Sequence, residues 1–90
     1  MSGRPPVPAW EREFNRRLGR NIAAARQAQA LSGRELARRA GVSQTQVCCW
    51  EHGGRGIGVA RLQLVADALG VTATSLIPPL ADLPLPEGDG

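Results

Sequence analysis

Ninety residues allow one domain with a modest core, which favours a compact bundle with short connections. Eleven basic residues, all arginine, stand against eight acids, and three of those acids (Asp82, Glu87, Asp89) lie beyond residue 81, so the preceding chain is strongly basic and suited to a polyanion. No apolar run is long enough to span a bilayer, residues 1 to 15 hold no apolar stretch of the secretory kind, and two cysteines make no disulfide scaffold.

Residues 1–8 contain three prolines and read as a flexible basic arm carrying Arg4. A first helix is expected from Ala9 or Trp10 to about Ala30, with Glu11 and Glu13 in its first turn, where acids complement the helix dipole. Phe14, Leu18, Ile22 and Ala25 form its inner stripe, and Arg12, Arg16, Arg17 and Arg20 its outer face. Ser32 is the expected cap of helix two, with Glu35 at the spacing of a capping box.

Leu36 and Ala40 before Gly41, and Val47 and Trp50 after it, give two short helices an apolar stripe each, so the two must pack together. Ala37 suits their crossing point, Gly41 a left-handed turn, Val42 a place under that turn, and Ser43 the cap of helix three. This is a helix-turn-helix, with its second helix at about residues 43–52. Four glycines mark the loop from Gly53 to Gly58. Val59, Leu62, Val65, Ala66 and Leu69 mark helix four, Gly70 closes it, and Thr72 caps a short fifth helix through Leu76 and Ile77. Pro78-Pro79 stops that helix and opens a proline-rich acidic tail, 78–90, with an apolar edge of Leu80, Leu83 and Leu85. The expected fold is all-α, five helices over residues 9–77.

Core and turn assignments leave Gln44, Thr45, Cys48, Cys49 and His52 facing outward around helix three. That face is polar but uncharged. An amide can donate and accept together at the N6 and N7 edge of adenine, and a small apolar group can touch a thymine methyl, so the face suits a DNA major groove. A helix merely solvated would more often carry Glu and Lys.

Several separate constraints now recur together: Leu18-Gly19-Arg20-x-Ile22 with Arg26, Leu31-Ser32, Ala40-Gly41-Val42-Ser43-Gln44, Trp50-Glu51-x-Gly53, and Ala66-Asp67-Ala68-Leu69-Gly70-Val71. In these the chain resembles the Cro and lambda-repressor-like (XRE-type) family of transcriptional regulators over residues 18–77. The loop Gly54-Arg55-Gly56-Ile57-Gly58-Val59 with Arg61-Leu62 is similar to that of actinobacterial developmental regulators. The resemblance implies a compact five-helix lambda-repressor-like domain in which Gln44, Thr45 and Cys49 read bases, while Gln46 lies toward phosphate. It also implies a structural ion pair between Arg26 and Glu51. The family commonly braces its recognition glutamine from the first position of helix two, but here that position is Gly33. Gln44 is then freer to rotate, so either its base preference is looser or a water or Arg34 takes over the support.

Further phosphate contacts are expected from Arg34, from the Gly33 end of helix two, from Arg55 and from His52, the last equally explained as a residue favoured by a helix C-terminus. Arg4 is a weaker candidate for a minor groove. Cys48 and Cys49 are adjacent and lack the separation of a chelating pair, so no metal is expected and no cofactor is implied. Plain small side chains are the expectation there, with a redox switch on the groove face as the sharper alternative.

No nucleophile with a base, no paired carboxylates and no phosphate-cradling lysine loop are present, so an enzyme is not expected. The expected protein is a bacterial, cytoplasmic regulator on the nucleoid. It would be a repressor binding double-stranded DNA as a homodimer on an inverted repeat, with its dimer contact on helix five and the edge after Pro79. The competing expectation is an antitoxin or adaptor that docks a partner protein through residues 72–90.

Overall fold

The computed structural model describes residues 7–81 and 83, and among these it contains five α-helices and no strand. Helix α1 spans Ala9–Ala28, α2 Gly33–Ala40, α3 Gln44–Glu51, α4 Val59–Leu69 and α5 Ala73–Leu76. Helix α2 packs on α3 and α4, α1 lies along α3 and touches α5, and α5 closes on α4. Leu18, Ile22, Leu36, Ala37, Ala40, Val47, Trp50, Leu62, Val65, Ala66, Leu69 and Leu76 form one buried cluster to which each helix contributes. Phe14, Ala25, Leu31 and Val42 pack against it half-buried. No helix among the described residues is long and apolar enough to cross a membrane.

The helix ends are set by local chemistry. Pro8 precedes α1, and its carbonyl accepts from Glu11 N and Arg12 N at 3.0 Å each. Ser32, Ser43 and Thr72 each accept, through a side-chain oxygen, the amide three residues on, which satisfies one of the donors a helix start leaves free. At its other end α2 closes in a Schellman turn: Gly41 adopts φ 75°, and Val42 N donates to Ala37 O at 3.0 Å. Helices α3 and α4 end in the same way at Gly53 and Gly70.

Four features depart from the sequence expectation. Helix α1 stops at Ala28, short of Ala30, because Ala30 itself takes the left-handed position, with φ 57°, while Leu31 N reaches back to Arg26 O. Ser32 caps α2, but the Glu35 carboxylate turns to Arg38 and Arg39, so the two-way capping box forms at Ser43 and Gln46 instead. Val59 opens α4 as expected, but at 85% exposed it stays outside the core that Leu62, Val65, Ala66 and Leu69 join. Ile77 is extended and exposed past the end of α5, whereas Pro78 and Leu83 are buried, so packing continues beyond residue 77. Arg4 and Leu85, assigned above to the arm and the tail edge, lie outside the described residues.

Candidate nucleic-acid interface

The candidate face is built from the start of α3 outward. Ser43 Oγ accepts from Gln46 N at 3.0 Å, and Gln46 Oε1 accepts from Ser43 N at 3.0 Å. Two donors that a helix start would leave to water are thereby fixed, and the first turn of α3 has little freedom. Val47 and Trp50, 2% and 4% exposed, anchor the inner side of the helix. Gln44 and Thr45 project on the other side, exposed, with no side-chain hydrogen bond among the described residues. Together with Cys48 and Cys49 they line an open depression on the surface.

A second shallow cleft beside it is lined by Thr45, Gln46, Cys49, Trp50 and Arg55. The glycine-rich loop thus folds back so that Arg55 flanks the polar face of α3, and Arg55 has no ion-pair partner among the described residues. Gln46 spends its amide oxygen on the cap, which leaves its NH2 group as the donor available outward.

Position 33 carries no brace. A Cβ there would meet only Val47 Cγ1, at 3.9 Å, so there is room for a side chain that glycine does not supply. Arg34 is exposed in the first turn of α2 and makes no hydrogen bond to Gln44. Within the described structure the Gln44 amide is therefore unsupported, and water or a ligand must satisfy it.

Behind the face, α1 holds α3 by polar contacts as well as by packing. Arg26 Nε donates to Glu51 Oε2 at 2.8 Å and a terminal nitrogen to Glu51 Oε1 at 3.0 Å, a two-pronged pair with side chains only 16% and 11% exposed. The remaining Arg26 terminal nitrogen donates to Leu31 O at 2.8 Å, so one guanidinium ties the end of α1, the approach to α2 and the end of α3. The hydrogen bonds to Glu51 raise the Arg26 pKa above its ordinary value and keep the guanidinium charged.

The closeness of these helices depends on Gly19, which sequence reading noted only as part of a motif. A Cβ at Gly19 would lie 2.1 Å from Trp50 O, and one at Gly53 2.8 Å from Arg16 Cα. A glycine in the middle of an otherwise apolar helical stripe was the available signal for such an approach.

Cys48 and Cys49 are free thiols, exposed and half-buried. Successive residues of an α-helix point about 100° apart, so the two sulfurs do not pair while α3 stays helical. His52 caps the helix and sits over Cys48: its Nδ1 is 2.8 Å from Cys48 O and 3.6 Å from Cys48 Sγ. Among the described residues no group of three or more His, Cys, Asp or Glu side chains is placed to hold a metal ion.

The arrangement is a polar, uncharged helix face with arginine at its flank and a rigid scaffold behind. A Helix-turn-helix family model matches residues 22–76. Among solved structures, the chain is similar to the restriction-modification controller protein C.AhdI from Aeromonas hydrophila, at 25% identity and a TM-score of 0.69, over 70% of this chain and 96% of that one. It is likewise similar to the BldD DNA-binding domain of S. venezulae, at 31% identity and a TM-score of 0.67, over 73% of this chain and 99% of that one. SinR, a master regulator for biofilm formation solved in complex with DNA, matches at 27% identity and a TM-score of 0.64, over 66% of this chain and 95% of that one. No curated protein matches the chain in sequence. The chain belongs to the Cro/C1-type (XRE) helix-turn-helix family of DNA-binding transcriptional regulators.

Proposed function

We propose that the protein is a sequence-specific repressor that binds an inverted-repeat operator as a homodimer, with α3 inserted into the major groove. The observation that carries this reading is the Gln44 amide, exposed on the open face of α3 without a partner among the described residues and beside Thr45 and Cys49. In this reading Gln44 makes the paired contact to adenine N6 and N7, and Thr45 and Cys49 meet base edges or a thymine methyl. Arg34 and the amide of Gly33 at the start of α2, the NH2 of Gln46, Arg55 and His52 contact phosphates and fix the register.

A single module of this size covers little DNA, and two recognition helices spaced by about one helical turn, roughly 34 Å, recover affinity. The dimer contact is assigned to the end of α5 and the segment after it. There, exposed Ile77 and Leu80 border an apolar depression shared with Trp10, Phe14 and Ile57. Selection of bound fragments from genomic DNA, at stated salt and with Gln44→Ala alongside, tests the proposal. The expected outcome is a palindromic motif whose half-sites degrade at one base pair in the variant. Salt-sensitive binding without a motif would overturn it.

A further inference from the structure

The exposed line that starts at Gln44 runs on through Cys48 to His52, residues four apart along α3 and its cap. Eight steps of 1.5 Å carry His52 about 12 Å along the axis from Gln44, close to the width of the major groove. A helix whose first turn meets base edges therefore brings this ring to the rim, where the phosphates stand.

The ring's proton arrangement follows from its neighbour. His52 Nδ1 lies 2.8 Å from the carbonyl oxygen of Cys48, and a carbonyl oxygen only accepts, so a hydrogen bond between them requires the tautomer with the hydrogen on Nδ1. In the neutral ring Nε2 is then a lone pair, which repels a phosphate oxygen. With a second proton, Nε2 becomes a charged donor and attracts it.

We infer that His52 contacts DNA phosphate through Nε2 only as the imidazolium, so that binding takes up a proton at this ring. The inference rests on the DNA-binding reading above and adds to it a coupling between affinity and pH.

The charged groups nearby do not substitute for the phosphate. Glu51, adjacent in sequence, is committed to Arg26 of α1. Arg16 of α1 stands behind Gly53 and is paired with Glu13, and Arg55 follows in the loop without an ion-pair partner among the described residues. No described carboxylate is bonded to the ring, and the titratable group in contact with it is the thiol of Cys48, 3.6 Å from Nδ1 on the same helix.

His52 is the chain's only histidine, so its ring signals are identified without assignment work. The experiment measures Kd for duplex DNA at pH 6 and pH 8 at one ionic strength, with His52→Ala alongside, and records the ring nitrogen NMR signals free and bound. We expect the wild type to bind about tenfold more tightly at pH 6. The variant should lose that difference, its Kd changing by less than about twofold between pH 6 and pH 8. The free ring should show the Nδ1–H form, and the bound ring at pH 6 both nitrogens protonated.

An unchanged pH dependence in His52→Ala, no dependence in the wild type, or an Nε2–H form in the free protein would overturn the inference. Because phosphate contact is blind to sequence, this failure separates from that of the operator reading. A palindromic motif without linkage at His52 removes only the inference. Linkage without a motif removes only the operator.

Discussion

Ala30 is the described non-glycine residue with positive φ, at 57°, and it occupies the position that Gly41, Gly53 and Gly70 fill at the ends of the other long helices. A left-handed alanine costs about 1 kcal/mol that glycine avoids, partly offset by the greater freedom glycine has in the unfolded chain. Ala30→Gly is accordingly expected to stabilise the protein by about 0.5 kcal/mol, as read from urea denaturation midpoints at constant slope. Arg26 and Glu51 lead to the opposite kind of change. Glu51→Gln leaves a largely buried guanidinium without its counter-charge and should cost about 2 kcal/mol. Arg26→Met with Glu51→Leu should cost less than Glu51→Gln alone, because neither charge is then stranded, and a denaturation cycle over these variants measures the difference.

At the scale of the helices, the two caps of the helix-turn-helix are unequal. Ser43 is engaged in both directions with Gln46, whereas Ser32 receives only the Glu35 amide. Ser43→Ala should cost about 1 kcal/mol of stability and Ser32→Ala somewhat less, and only Ser43→Ala should also weaken DNA binding, since it frees the turn that carries Gln44. Calorimetry and anisotropy titrations of the two variants check this. The Glu35 carboxylate contributes elsewhere: Arg38, and after it Arg39, hold its pKa below the ordinary carboxylate value near 4.5. A lowered folded pKa adds stability that is fully present above the unfolded value and is lost as pH falls through the folded one. Glu35→Gln should therefore flatten the fall in stability below about pH 4.5, with a modest effect near neutrality, in denaturation followed from pH 3 to pH 7.

These helix boundaries were largely legible in the chain because serine, threonine and glycine at the ends act over three to five residues. Ser43, Gly41, Gly70 and Thr72 all stand where their local chemistry placed them. What was not legible depends on partners distant in sequence. Glu35 chose between a backbone amide and two arginines, Val59 was left without a neighbour to cover it, and Gly19 answers to carbonyls more than thirty residues away. For the same reason the polar face of α3 is legible from periodicity, while the placement of Arg55 in one cleft with Thr45 and Cys49 depends on how the loop returns.

Over the whole molecule, α1 closes the ends of other helices as well as covering them. Besides Arg26 and Glu51, Asn21 donates to Leu76 O at 2.8 Å, and Gln29 donates to Leu69 O at 2.5 Å, at the C-terminal ends of α5 and α4. Each of these bonds ties α1 or its C-cap residue to another helix, and the core is a single cluster, so the domain is expected to unfold as one unit. The apolar surface of Trp10, Phe14, Ile57, Ile77 and Leu80 is the largest-scale prediction. Ile77→Asp with Leu80→Asp, both exposed in the monomer, should leave the helical spectrum intact and abolish the proposed dimer in sedimentation, with palindrome binding falling to the level of a single half-site.

The open face of α3 has a consequence for how such a protein changes over time. Gln44 and Thr45 make no side-chain hydrogen bond to the described scaffold, and position 33 has room for a side chain that glycine does not supply. Their replacement therefore leaves the folding free energy nearly untouched. If Gln44 and Thr45 read bases as proposed, stability and target choice are written in separate residues, and lineages can drift from one operator to another through a series of equally well folded intermediates.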